Sequence, residues 1–395
     1  MMSTVAMLAA WLIALPFSGV SLYLCWEILC GLKSLPRRSF SGQADIDIVI
    51  LVPAHNEAGG IAKTIHGVRS VLPQARLLVV ADNCTDDTAS LAADAGAEVA
   101  VRHDSSHRGK GFALDFGREH LRAAPPAVVI VLDADCRLKS GSGEMLASAA
   151  FHLDGPVQAT NLLVASAQAP ALEGISNFAM LVKNLVRARG LMRIGGGITL
   201  FGTGMAFPWN LFSQLDLASA HLAEDLELGL RLARKGIRVE LIDEAVVTSP
   251  AANVSDSRDQ RRRWEHGFLN QAMSSSLPLL KLGLKNRSRH LLGLGAHMLV
   301  PPIALHLLLG GFAMISTAAL SLISQSVSPF LTTLASVCCL IILLFLAWFK
   351  EGRQTLPFMA LVRAPMYVAW KIPIYLGFVR NRQTGWQRTR RPDEP

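Results

Sequence analysis

Two stretches of this chain, Met1–Trp26 and Leu291–Phe349, contain no Asp, Glu, Lys or Arg. Nothing else in the sequence constrains the fold as strongly, because uncharged apolar runs of this length belong in hydrocarbon. The first reads as one membrane span, roughly Val5 to Leu24. The second has 59 residues, too many for a single crossing, which takes about 20. Ser324, Gln325, Ser326, Ser328 and Pro329 interrupt it, so it reads as two spans joined by a short polar turn. Pro301-Pro302 is expected to kink the first of the two. A cleaved signal peptide is the competing reading of the N-terminus. Against it, no basic region precedes the apolar run, and Lys33, Arg37 and Arg38 follow it.

Composition agrees with a membrane protein. At 51% hydrophobic and 17% charged residues, with a mean hydropathy of +0.35, the chain is neither disordered nor a coiled coil nor a collagen-like fibre. Its basic excess concentrates at the end, with nine basic and three acidic residues from Lys350 onward. Beside apolar segments, such a cluster points to anionic lipid rather than to nucleic acid, and no nucleic-acid partner is expected. Six cysteines without C-x-x-C spacing read as reduced thiols. Basic flanks set an orientation. Lys33, Arg37 and Arg38 follow the first span, Lys281, Lys285, Arg287 and Arg289 precede the second, and Lys350 and Arg353 follow the third. The positive-inside rule then places the N-terminus outside, and the region from Lys33 to Arg289 in the cytosol with the C-terminal tail. This implies a multi-pass protein of the cell membrane, a bacterial inner membrane being the expected one. Leu356–Phe378 is apolar but holds Arg363, Lys371 and three prolines, so it reads as interfacial or re-entrant, with a fourth span as the alternative.

Between Asp45 and His290 the pattern changes. Strand-length apolar runs at Ile46–Val52, Leu77–Val80, Val99–Val101 and Val128–Leu132 alternate with helical segments such as Ile61–Val71 and Phe112–Leu121. That alternation implies an α/β fold, a parallel sheet covered by helices, with ligands bound at the C-terminal ends of the strands. Unusual polar residues fall at those ends: Pro53-Ala54-His55-Asn56-Glu57, Asp82-Asn83 and Asp133-Ala134-Asp135.

In Asp133-Ala134-Asp135 two carboxylates project to one side of an extended chain and repel each other unless a cation sits between them. Hard oxygen ligands at this spacing suit Mg²⁺ or Mn²⁺ bridging a diphosphate; a solvated turn is the plainer reading. Asp82 ends an apolar strand, where its carboxylate could accept from the imide N–H of a base such as uracil. Asp86 and Asp87 read as caps of the next helix. Arg108-Gly109-Lys110-Gly111 opens a helix and offers backbone N–H groups and a cation to a phosphate, although a basic turn would look the same. Phe201-Gly202-Thr203-Gly204-Met205 is compatible with close passage of a substrate. Glu224-Asp225 precedes an amphipathic helix and by spacing alone reads as an N-cap pair. Gln260, Arg263 and Trp264 share a helical face at i, i+3 and i+4, fit for a sugar or diphosphate, or else for a membrane surface.

Taken in order, these pieces resemble the inverting family-2 glycosyltransferases of the GT-A fold. The likeness is greatest to the membrane-bound branch that includes cellulose, chitin and hyaluronan synthases. The resemblance runs from Ile46 to about Gly267 and rests on Val52-Pro53-Ala54-His55-Asn56-Glu57, Asp82, Gly109-Lys110-Gly111, Asp133-Ala134-Asp135, Glu224-Asp225 and Gln260-x-x-Arg263-Trp264. It implies a Rossmann-like nucleotide-sugar domain over 45–276. Around it would lie a transmembrane helix within 1–30, two more within 291–349, and an interfacial segment with a basic tail over 350–395.

The resemblance also implies roles. Pro53, Glu57, Asp82 and Lys110 would hold the uridine and diphosphate of a UDP-sugar donor. Asp133 and Asp135 would hold nucleotide and divalent metal, with Asp135 the more direct ligand. Asp225 would be the general base, and Gln260, Arg263 and Trp264 would line the donor diphosphate and the acceptor end. Ala81 stands where many relatives have a second Asp, and Ala223 where Thr is frequent. The implied reaction moves a hexose to a lipid-linked or membrane-embedded glycan acceptor, as in exopolysaccharide or envelope glycan synthesis. A processive β-polysaccharide synthase is one alternative. A non-catalytic nucleotide-binding membrane sensor is another, disfavoured by the metal pair and the candidate base.

Overall fold

The computed structural model describes residues 2–38, 46–164, 171–219, 221, 223–250 and 254–380, with side chains from 172 and from 260 onward in the helices beginning at Ala171 and Val254. The basic tail 381–395 and the expected domain start at Asp45 lie outside the described residues. Two compact units are present. One takes 34–166 and 196–268, the other Met1–Lys33, Ala167–Gly195 and Leu269–Arg382.

The first unit is built on one eight-stranded sheet. Its strands are β1 (Ile48–Ala54), β2 (Arg76–Asp82), β3 (Glu98–Arg102), β4 (Val128–Val131), β5 (Arg137–Leu138), β6 (Val157–Val164), β7 (Met205–Pro208) and β8 (Glu240–Pro250). They lie in the order β3-β2-β1-β4-β7-β6-β8-β5. β1 and β4 are apolar at nearly every position because both faces are covered: Val49, Ile50, Leu51, Val52 and Val128–Val131 are all fully buried. Burying each such side chain contributes about 1.5–3 kcal/mol, and this central slab fixes everything at its edge. The helix Lys110–Leu121 lies so close to the sheet that a Cβ on Gly117 would come 2.6 Å from Leu51 Cδ1. Replacing that glycine would push the helix away from the strands.

The parallel sheet expected from the sequence is present only in the β3-β2-β1-β4 half. Beyond β4 the sheet is mixed: β7 runs antiparallel to both β4 and β6, and β6 is parallel to β8. The reason is local. Gly202 and Gly204 both take positive φ, at +86° and +67°, and the turn they make delivers Met205 back along Val131. A Cβ on Gly204 would also meet Ala159 and Val247 at under 3.0 Å.

The second unit is helical. Three of its helices, Met2–Gly31, Ile303–Ser324 and the segment Ser328–Gly352, are long and apolar enough to cross a membrane. The polar turn anticipated near Ser324 separates the last two, with Gln325 left-handed at φ +56°. Pro301-Pro302, expected to kink a span, instead ends the helix Arg289–Leu299 and lets Ile303 begin another. Two successive residues without N–H groups break a helix rather than bend it. Glycines set the closest approach here. A Cβ on Gly31 would collide with the Val186 carbonyl oxygen, and one on Gly190 with that of Glu27. The N-terminal helix therefore lies backbone to backbone against the π-helical turn Val182–Arg187 and the helix Ala188–Gly195. The described segment 171–195, expected from the sequence within the nucleotide-sugar domain, belongs to this helical unit.

Candidate active site

The chemistry gathers at the C-terminal end of β4. Val131 is the last strand residue, and the chain then turns through Leu132 to Asp133, whose N–H donates to Thr203 Oγ1 at 3.1 Å. Lys110, first residue of its helix, donates from Nζ to the Asp133 carboxylate and to the Gly202 carbonyl, the latter at 2.7 Å. Asp225 closes the ring. A Cβ built on Gly202 would sit 3.1 Å from Asp225 Oδ2 and 3.6 Å from Lys110 Nζ, so acid and ammonium converge on that α-carbon. Any larger residue at 202 would force them apart.

Charge in this cluster is unbalanced. Asp133, Glu224 and Asp225 all act on Lys110 and, against the cost of its burial, hold the ammonium firmly protonated. Burial and the neighbouring Asp225 charge push Glu224 up to about 7, while Lys110 pulls the other way. Burial likewise raises Asp133, which Lys110 opposes and the Asp135 charge reinforces. Among these residues carboxylates outnumber the Lys110 ammonium, an arrangement that favours binding of a further cation.

That cation has a place to go. Ligand atoms of Asp133, Asp135 and Cys136 all lie within 4.8 Å of one another. Two carboxylates make a hard donor set suited to Mg²⁺ or Mn²⁺. The Cys136 thiol is a different kind of neighbour. It is buried, burial raises its pKa well above the ordinary thiol value, and it lies 3.5 Å from Asp135 Oδ1 and 3.1 Å from Ser249 Oγ on β8. Ser249 in turn donates to Asn161 Oδ1 on β6 at 3.0 Å. The thiol is protonated and acts as a donor orienting Asp135. Sequence reasoning passed over Cys136, whose single signal was its position directly after the carboxylate pair.

A second group of loops forms the end of the sheet at β1 and β2. Pro53 is half-buried in β1, paired in register with Val80. Asp82 is buried and ion-paired to Arg102 at 2.7 Å, and Asn83 Nδ2 donates to the same carboxylate at 3.0 Å. Its charge is neutralised from within the protein. His55 bonds the Asp82 carbonyl through Nδ1 at 2.7 Å, and the Glu57 N–H donates to Thr88 Oγ1 at 2.7 Å. Asp86 accepts from the N–H groups of Thr88 and Ala58, both at 3.1 Å, so it locks the two loops together, whereas Asp87 occupies the N-cap position without a side-chain bond. Gly111 serves the protein rather than a ligand: a Cβ there would lie 2.5 Å from the Leu217 carbonyl oxygen.

Glu224 and Asp225 form the first turn of the helix Glu224–Arg234, where neither side chain is a cap. Gln260, Arg263 and Trp264 lie half-buried on the helix Val254–Lys285, with Arg261, Glu265 and His266 buried beside them. The structure thus joins Lys110, Asp133, Asp135, Glu224 and Asp225 in one cluster and draws Glu57 and Asp82 into adjoining loops.

Comparison with known proteins bears on the family and the fold. The model of glycosyl transferase family group 2 matches residues 128–372, and that of glycosyl transferase family 2 matches residues 49–155. YaiP of Escherichia coli K12, an uncharacterized glycosyltransferase, is 26% identical over 271 residues, 65% of either chain. Protein RfbJ of Shigella flexneri is 40% identical over 65 residues, 16% of this chain and 48% of its own. This chain therefore spans less than two thirds of either relative. Among solved structures, the mannosyltransferase PcManGT of Pyrobaculum calidifontis, in complex with GDP-Man and Mn²⁺, superposes with a TM-score of 0.57 at 17% identity. That match covers 94% of this chain and 98% of the other. At such identity the likeness is one of fold.

Proposed function

The chain belongs to glycosyl transferase family group 2, and from that premise we propose that it moves a hexose from a UDP-sugar to a lipid-linked acceptor with inversion at the anomeric carbon. The observation that carries this reading is the convergence of Asp225, Lys110 and Asp133 about Gly202, beside the Asp133–Asp135 pair. Asp225 is the general base: it takes the proton of the acceptor hydroxyl as that oxygen attacks the sugar. Lys110 holds Asp133 in place and supplies positive charge next to the leaving diphosphate. Asp133 and Asp135 would hold Mg²⁺ or Mn²⁺, which would supply positive charge beside the diphosphate. Cys136 orients Asp135 through its thiol, and Gly202 keeps the base and the ammonium close to each other without a side chain between them.

Pro53, Glu57 and Asp82 line the nucleoside end, with Asp82 presenting a carboxylate fixed by Arg102. Gln260, Arg263 and Trp264 line the diphosphate and the acceptor. Three helices able to span a membrane support an acceptor anchored in lipid, with the sheet unit in the cytosol by the positive-inside rule. A processive synthase is the second reading, favoured by the Gln260, Arg263 and Trp264 face on one helical turn.

Nucleotide release from purified membranes, screened across UDP-sugars with GDP-mannose alongside, tests the donor and the metal together. UDP release dependent on Mg²⁺ or Mn²⁺ and abolished by EDTA is expected. Release from GDP-mannose alone would overturn the uridine assignment, and full turnover in EDTA would overturn the metal. Product length on a gel separates single addition from chain extension.

A further inference from the structure

The segment following the third candidate span is a helix in three pieces, Phe358–Leu361, Ala364–Trp370 and Ile372–Arg380. Hydrogen bonding continues across both joints. Arg363 N–H donates to the Ala360 carbonyl at 3.0 Å, Lys371 N–H to that of Val368 at 3.2 Å, and Ile374 N–H to that of Lys371 at 3.0 Å. Pro365 and Pro373 fall in the opening turns of the second and third pieces, where a helix tolerates a missing donor. The backbone therefore keeps helical hydrogen bonds across both breaks, as a chain in hydrocarbon must.

Its side chains are arranged inside out. Between Arg363 and Arg380 the exposed residues are Pro365, Met366, Ala369, Ile372, Pro373, Leu376 and Val379, every one apolar. Half-exposed positions add Ala364, Val368, Trp370 and Gly377. The polar members of the stretch all point inward. Tyr367 is 3% exposed and bonds Ser176 Oγ at 3.1 Å, Lys371 is 5% exposed and lies 5.1 Å from the Tyr367 ring, and Tyr375 is buried. A helix resting at a membrane surface keeps a polar flank in water. None is present here. At a rise of about 1.5 Å per residue, 364–379 forms an uncharged outer wall about 24 Å long, bracketed by Arg363 and Arg380.

We propose that residues 364–379 are embedded in the bilayer hydrocarbon as a fourth lipid-facing segment, with Met366, Ile372, Leu376 and Val379 against acyl chains. The occupant is lipid rather than a protein because the stripe continues the apolar exposure of the candidate spans in the same unit. Phe312, Ile315, Leu322 and Ile342 are each 60% or more exposed there. The sequence pattern alone, with Arg363, Lys371 and three prolines, suggested a shallower interfacial position. Burial of Lys371 weakens that objection, since an ammonium turned into the protein over the Tyr367 ring is kept away from acyl chains.

The test uses the full chain in phosphatidylcholine vesicles, with Met366→Cys, Leu376→Cys and Gln354→Cys made singly. Each is exposed to a membrane-impermeant maleimide and to a diazirine carried on a phosphatidylcholine acyl chain, and labelled peptides are identified by mass spectrometry. Positions 366 and 376 should take the acyl probe and resist the maleimide by tenfold or more relative to the exposed Gln354→Cys control. Maleimide labelling at the control rate would overturn the proposal by placing the stripe in water. Protection from both probes would overturn it too, since a protein would then cover the face.

Discussion

Each unit of the molecule contains a cluster of ionised side chains, and the two are built on opposite principles. In the helical unit, Glu27 is fully buried between Arg187, whose Nε donates to Oε2, and His297, whose Nδ1 lies 2.6 Å from Oε1. One carboxylate meets one guanidinium and one imidazole, and the set is closed. In the sheet unit, the Lys110 ammonium faces Asp133, Glu224 and Asp225 together, with Asp135 adjoining Asp133. That set is open: its carboxylates outnumber the ammonium, and Asp133 and Asp135 are only half-buried. A balanced, dry cluster ties three chain segments together, whereas an unbalanced one at a sheet edge waits for a ligand.

The sharpest way to break the comparison is at Asp225. In Asp225→Asn the size and hydrogen-bonding outline remain but the proton acceptor is lost. Transfer should fall by about 10²–10⁴-fold, the usual contribution of a general base. Donor affinity, measured by calorimetry on the same preparation, should change little, because Asp225 is not assigned to the diphosphate. Near-normal transfer would return this residue to a structural role and leave the base unassigned.

Glu27→Ala tests the closed cluster. It leaves Arg187 buried without its carboxylate, and breaking such a pair costs about 3–5 kcal/mol. The thermal midpoint in detergent should drop markedly, while donor affinity of the remaining folded protein stays intact. An unchanged midpoint would show that the cluster contributes nothing to holding the helices.

Cys136 offers a subtler probe. Cys136→Ala removes the thiol beside Asp135, and a single hydrogen bond of about 0.5–1.5 kcal/mol corresponds to a few-fold to about tenfold weaker Mn²⁺ binding. Electron paramagnetic resonance titration with Mn²⁺ reads this directly, without turnover. Cys136→Ser, which restores a donor, should recover most of the affinity. If both variants bind Mn²⁺ like the parent, the thiol only fills space.

These residues differ in how visible they were in the sequence. β1, β2 and β4 were legible because strands buried on both faces read as unbroken apolar runs, and the helix Ile61–Val71 because Ile61, Ile65 and Val68 keep helical spacing. Within the open cluster, Asp133 and Asp135 stood out because carboxylates at the end of a buried strand are costly, whereas Lys110 and Asp225 were singled out only through the family resemblance, their spacing alone reading as a basic turn and a helix cap. The mixed half of the sheet was not. Met205–Pro208 is four residues long, and Glu240–Pro250 carries Asp243 and Glu244, so neither shows a strand period. Glu27, Arg187 and His297 stand 160 and 270 residues apart, and only folding reveals that they form a set. Cys136 was hidden for the same reason, since its partner Ser249 lies 113 residues away.

A further expected effect is a pH dependence of stability at Glu224. Burial and the charge of Asp225 push its folded pKa up to about 7, above the ordinary carboxyl value of 4.5. A carboxyl raised on folding binds more protons in the folded state than in the unfolded one between those two values. Stability should therefore fall as pH rises from 4.5 toward 7 and level off above, the reverse of the behaviour of a salt-bridged carboxylate. Glu224→Gln, neutral at every pH, should flatten that part of the profile. Chemical denaturation of the detergent-solubilised protein at steps between pH 4.5 and 7.5 provides the curves, with Glu27→Gln as a comparison. If the Glu224→Gln profile keeps the parent's slope, the proton sits elsewhere in the open cluster, and Asp133, also raised by burial, becomes the group to replace next.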